Sequence, residues 1–391
     1  MPEQMTAKEL IEMVRRVFAP QPGERALGVM VDLPDAKAGD DTAWAARRKI
    51  ASEWVAALRQ RRDELGLDVR LIAYPNVRTN NGDLPGFAWV MDGGGALPAS
   101  AEGLDKNSAC PMEKVYAEHP MLIAITKFSS TAPLKIAAKK YGLRAATMPG
   151  FTEAMIPALR LDYTEINRRV NFLKDLLDRA VGAEILFSHP GGQSNLYLDL
   201  RHRTGHASGG LLTGPGMAGN LPPGEAYIVP YEGEIQGDPS RSEGELPVQF
   251  GSEIVLYQIM GNRAVKVLSS GPESKREAAL LAKEPAYSNL AELGLGVLSP
   301  FGIRPIGSVL LDEKLGLHIA FGRSEHFGGQ VGPDAFSSPQ AVVHIDRVYV
   351  PEMQPDICLE RADLHLEDGD ILPIIRKGEY VNESAYPPSI P

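Results

Sequence analysis

The segment Ala26-Leu27-Gly28-Val29-Met30-Val31-Asp32-Leu33 is a short aliphatic run that reads as a buried strand. The segments after it set the architecture. From Thr42 to Leu65 the apolar residues Ala45, Ile50, Trp54, Ala57 and Leu58 recur at spacings near 3.6, the period of one helix face. Gly66 is placed to cap that helix at its C-terminus. Val69 to Tyr74 (VRLIAY) then reads as a second strand. Strand, helix, strand over this span predicts a parallel sheet flanked by helices.

Working outward, the same rhythm continues. Met121 to Thr126 and Arg144 to Thr147 are strand-like, Thr131 to Tyr141 is helical, and Ala154 to Ala180 is helical with one break. Ahead of them, Pro75 to Glu118 reads as a long irregular stretch containing Gly93-Gly94-Gly95; loops of that length tend to be functional or mobile. Near Gly182 the pattern changes to short strands separated by Gly/Pro turns. These are Glu184 to Ser188, Leu196 to Leu200, Ala226 to Val229, Glu253 to Ile259, Val265 to Leu268, Ser308 to Leu311, Leu317 to Phe321, Val342 to Val350 and Asp370 to Ile375. One helix, Glu273 to Leu281, interrupts them. The expectation is an α/β N-terminal domain with a parallel sheet over 1–180. An α+β, largely antiparallel domain over 181–391 is expected to carry the chemistry.

The 391 residues, 43% hydrophobic and 23% charged, have the composition of an ordinary globular protein. A formal net charge of -10 argues against nucleic acid as a partner. Two cysteines, Cys110 and Cys358, are too few for a disulfide-stapled fold and fit a reducing cytoplasm. No run approaches the ~20 apolar residues that cross a bilayer, so no membrane partner is expected.

The strongest chemical signal is Val342-Val343-His344-Ile345-Asp346-Arg347-Val348. Residues two apart on a strand share a face, so His344 and Asp346 would project together as a platform for a divalent metal. A solvated surface pair is the rival reading of this motif alone. His318, in the apolar strand Gly316 to Gly322, adds a second strand-borne imidazole, and His326 lies in the next loop. Glu292, set in Asn289-Leu290-Ala291-Glu292-Leu293-Gly294, would be costly to bury unless it were coordinated; an exposed helix-end position is the alternative. Glu225 opens a strand after Pro222-Pro223-Gly224. Two further features carry less. Arg201 to His206 reads as a solvated basic turn. Gly214 to Gly219 imitates a dinucleotide fingerprint but does not join a strand to a helix.

Four motifs in this order, NLPPGE (220–225), AELG (291–294), DEKLGLHIAFG (312–322) and HID (344–346), resemble the thermophilic metallo-aminopeptidases T and S. The resemblance spans roughly residues 180 to 350. It implies two divalent ions per chain (zinc, cobalt or manganese), held by Glu225, Glu292, His318, His344 and Asp346. The family's sixth ligand is a tyrosine, where this chain reads Arg323-Ser324-Glu325-His326-Phe327; His326, or else Glu325, is expected to substitute. The 2,5-dihydroxypyridine dioxygenases are similar more distantly. Their single iron is held by two histidines and an aspartate, of which His344 and Asp346 match, while the other histidine falls at Glu292. The expected function is an aminopeptidase-like metallohydrolase that cleaves an amide or related C–N bond of a peptide or small molecule. Glu225 and Glu292 are its candidates for bridging ligand and general base. The alternatives are an iron-dependent ring-opening dioxygenase or unusual hydrolase of a small aromatic compound, and a non-enzymatic binding protein. The resemblance also implies a homodimer.

Overall fold

The computed structural model describes residues 3–91 and 97–381. Gly93-Gly94-Gly95 lies outside the described residues. The chain is mixed α/β and divides into two compact units, Met1–Thr164 with Gly210–Pro223, and Glu165–Gly209 with Gly224–Pro391.

The first unit is built on a seven-stranded sheet. Its order is Ala218–Asn220, Arg144–Pro149, Met121–Thr126, Ala26–Leu33, Asp68–Pro75, Phe87–Met91 and Cys110–Pro111. The strands from Arg144–Pro149 to Asp68–Pro75 pair in parallel, as the β-α-β rhythm predicts. Ala26–Leu33 is buried along nearly its whole length, because a parallel strand covered on both faces has no solvent side. Helix Thr42–Gln60 buries Trp44, Ile50, Ala51, Trp54, Val55 and Leu58, and Asp41 caps it by accepting from Trp44 N at 2.7 Å. Asp32, 1% exposed near the end of the first strand, accepts from the backbone N–H of Lys127 (2.8 Å) and Phe128 (3.2 Å) and from Trp44 Nε1 (3.2 Å). Burial raises its pKa against those three donors.

The 75–118 stretch is less irregular than its sequence suggests. Phe87–Met91 pairs antiparallel with Asp68–Pro75, and Met112–Glu118 is a helix. A five-residue strand with no clean alternation gives periodicity little to act on.

The second unit holds two antiparallel sheets. The eight-stranded sheet pairs Ala180–His189 with Gly192–Asp199 on one side and Cys358–Leu366 on the other. The five-stranded sheet runs His344–Val348, Leu317–Gly322, Leu290–Gly296, Glu225–Ile228 and His206–Ser208. Two sequence assignments change here. Leu290–Gly296 is a fully buried strand, so Glu292 does not lie at an exposed helix end. Ser308 to Leu311 is not a strand: Val309–Asp312 forms a helical turn, with Leu311 N donating to Ser308 O. The expected single cut at residue 180 also differs from this division. Helix Tyr163–Arg179 falls almost wholly in the second unit, and residues 210–223 fall in the first because Ala218–Asn220 pairs with Arg144–Pro149. Among the described residues, no helix is long and apolar enough to cross a membrane.

Candidate metal centre

The five-stranded sheet gathers one face of side chains by register. Asp346 lies opposite Ala320, and Ala320 opposite Glu292. His318 lies opposite Gly294, and Gly296 opposite Glu225. Steps of two along each strand keep a residue on the same face, so all five candidates project from one side. Each bulky polar group has Ala, Gly, Ser or Val as its direct neighbour in the pairing, which leaves the space above those small residues to the ligands. Gly294 shows the requirement directly: a Cβ there would lie 1.9 Å from His318 Nε2.

Distances within the cluster are short. His318 Nε2 is 3.3 Å from Glu292 Oε1, 3.6 Å from Glu225 Oε2 and 4.0 Å from Asp346 Oδ1. His344 Nε2 is 3.2 Å from Glu292 Oε2 and 3.5 Å from Asp346 Oδ1. Glu292 therefore turns one oxygen to each imidazole. Two overlapping groups can hold a metal ion, Glu225-Glu292-His318 and Glu292-His344-Asp346, with Glu292 common to both.

The imidazoles are oriented from behind. His318 Nδ1 lies 3.2 Å from Gly316 O, and His344 Nδ1 lies 2.8 Å from Arg323 O. A carbonyl only accepts, so each Nδ1 carries the proton and each Nε2 faces the cluster, the tautomer that metal-binding histidines use. Burial disfavours charged imidazoles, but the surrounding carboxylates prevail and push His318 up to about 9 and His344 well above its ordinary value. Burial likewise tends to raise Glu292 and Asp346, and the two imidazoles hold both below the ordinary carboxylate range.

This donor set fits divalent ions. Three buried carboxylates and two imidazoles are the oxygen and nitrogen ligands such ions prefer. Glu225 Oε2 and both Asp346 carboxylate oxygens have no hydrogen-bond partner among the described residues, although buried polar oxygens are ordinarily satisfied.

The loop after the His318 strand places Glu325 and His326 differently. Glu325 is exposed and pairs with Arg323, Nη2 to Oε2 at 2.7 Å. The His326 ring centre is 5.5 Å from that of His344 and 3.8 Å from that of Phe327. Neither residue belongs to the two metal-competent groups. Sequence reading overlooked Lys314 and Glu313, although both stand in the quoted DEKLG motif. Lys314, 0% exposed, bonds Glu225 Oε1 at 2.5 Å and also pairs with Glu313. Burial pushes Glu313 up to about 8, against the pull of Lys314. The available signal was a charged triplet, Asp312-Glu313-Lys314, set against an apolar strand.

No family model and no curated protein matches the sequence. Solved structures do. A 2,5-dihydroxypyridine dioxygenase from Pseudomonas putida KT2440 superposes with a TM-score of 0.61 at 14% identity, covering 97% of this chain and 100% of that one. Wild-type AmpT from Thermus thermophilus superposes with a TM-score of 0.55 at 18% identity, covering 96% of this chain and 98% of that one. The chain thus has the fold of both groups of proteins that its motifs resemble.

Proposed function

We propose that this chain is a metal-dependent hydrolase of the aminopeptidase type, cleaving an amide or related C–N bond. The observation that carries the reading is the division of Glu292, one oxygen toward each imidazole, which makes two three-ligand groups with a shared carboxylate. When bound, two divalent ions there would lower the pKa of a water molecule and polarise the scissile carbonyl. The protein's own part is to present the ligands and to handle the proton. Glu292, common to both groups, would be the bridging carboxylate, which leaves Glu225, in one group only, to accept the water's proton. His318 and His344 hold position through their Nδ1–H bonds, and Asp346 contributes two oxygens free of hydrogen bonds.

An iron-dependent oxygenase is the second reading, favoured by the fold likeness to the dioxygenase. The ligand set speaks for the hydrolase, because a two-histidine, one-carboxylate site needs both imidazoles on one ion and neither metal-competent group contains both. Elemental analysis of purified protein, combined with a screen of aminoacyl anilides and small aromatic amides, separates the two. The hydrolase should bind two equivalents of zinc, cobalt or manganese and lose turnover to a chelator. One iron per chain with oxygen uptake would overturn it. The homodimer belongs to the same reading, and a monomeric mass by light scattering would remove it.

A further inference from the structure

We infer that Lys314 is a positioning residue that fixes Glu225 as a one-oxygen ligand; this rests on the two-ion reading of the centre. An ammonium group in the protein interior is costly unless paired. Lys314 is fully buried, and the two groups that compensate it are carboxylates, Glu225 of the cluster and its chain neighbour Glu313. The bond to Glu225 engages Oε1. Oε2 is left without a hydrogen bond, 3.6 Å from His318 Nε2. A carboxylate with one oxygen held by a lysine cannot swing to chelate through both, so the lysine sets which atom of Glu225 is offered.

The backbone around Lys314 is fitted to this task. Its carbonyl accepts from Leu298 N at 2.8 Å. It crosses directly over Gly296, where a Cβ would lie 2.3 Å from the Lys314 carbonyl carbon. Gly296 is also the residue paired with Glu225 across the sheet. The missing side chain at 296 thus admits the Lys314 backbone to the position from which its ammonium reaches the glutamate on the adjacent strand.

Positioning and simple charge balance predict opposite results. If Lys314 only offset negative charge, removing it would leave the cluster more negative and tighten cation binding. If it positions Glu225, removing it weakens the ion that Glu225 serves. Outer partners of metal-bound groups typically contribute roughly 10–100-fold in affinity.

The test is a zinc titration of the full chain against a chromophoric chelator. The wild type should bind two ions. Lys314→Met should keep one at wild-type affinity and bind the other roughly 10–100-fold more weakly. Lys314→Arg keeps the charge but not the single-point bond, so it should weaken the same ion; a pure charge role would leave it unchanged. Glu313→Gln spares the Lys314–Glu225 bond and should bind both ions as the wild type does. Wild-type or tighter binding of both ions by Lys314→Met, or by Lys314→Arg should the methionine variant not fold, overturns the inference. A wild type that binds fewer than two ions defeats the two-ion reading instead, whatever the variants do.

Discussion

Asp32 and Asp346 both bury their carboxylates on strands, one in each unit, and they are treated in opposite ways. Asp32 sits on a parallel strand and receives two backbone N–H groups and an indole N–H. Asp346 sits on an edge strand of an antiparallel sheet with its side chain 2% exposed, and neither oxygen has a hydrogen-bond partner among the described residues. Its neighbours are two imidazoles and another carboxylate. A carboxylate whose two oxygens both meet fixed donors is part of the framework. One left open among other ligand atoms is placed for a cation. The difference teaches that burial alone does not mark a site; the state of the lone pairs does.

The largest expected effect breaks the comparison at its functional end. Asp346→Ala and His344→Ala should each lower turnover on a responsive anilide substrate by at least about 100-fold, with the circular dichroism of the folded protein retained. Asp32→Ala should leave turnover per folded molecule unchanged. Near-normal turnover in either of the first two would remove the cluster from the chemistry.

Next in size is the response to metal. An ion that binds the folded state alone adds about 2.7 kcal/mol of stability when its free concentration is 100 times Kd. Zinc or manganese should therefore raise Tm in the wild type and in Asp32→Ala, and should do so much less in Asp346→Ala. Equal shifts in all three proteins would place the ions elsewhere.

A smaller effect runs the other way. Asp32→Ala strips the acceptor from three N–H donors and removes a carboxylate that supports the charge of the buried Arg47. It should cost about 1–3 kcal/mol in denaturant unfolding. At a pH high enough to leave both imidazoles neutral, Asp346→Ala in metal-free protein should cost less, since no hydrogen bond is lost and one member of a crowded acidic cluster goes. If the two variants rank in the reverse order, the lone-pair criterion fails.

Much of this contrast was legible in the sequence, and the reasons for the rest are local. His344 and Asp346 were readable because alternation on a strand needs only two residues to place both on one face. The parallel sheet was readable because the runs at 26–33 and 121–126 are apolar without alternation. Glu292 was harder, since LAELGLG carries two glycines and is buried on both faces, so no period separates strand from helix end. Lys314 was missed because its partner Glu225 lies 89 residues away in sequence, and a charged triplet read locally is a solvated turn. The role of Asp32 was hidden in the same way, its backbone donors coming from residues 127 and 128.

The smallest effect is a pH dependence that only the open cluster should show. In metal-free protein His318 is held up to about 9, above its ordinary 6.5. A group whose folded pKa is raised stabilises the fold fully below its unfolded pKa, and that contribution is lost as pH rises through the folded value. Metal-free protein should therefore lose stability between about pH 6.5 and 9, by an amount shared with His344 because both imidazoles face Glu292 and Asp346. Metal-loaded protein should not lose stability in the same window. The ion and the proton compete for the same Nε2 atoms, so deprotonation favours the ion. Melting curves at pH 6.5, 8 and 9.5, with and without zinc, should show the gap between loaded and metal-free Tm widening with pH. Asp32→Ala should keep that widening, and His318→Gln should reduce it. A gap that stays constant across the window would mean that the imidazoles are not the ligands the ion displaces protons from.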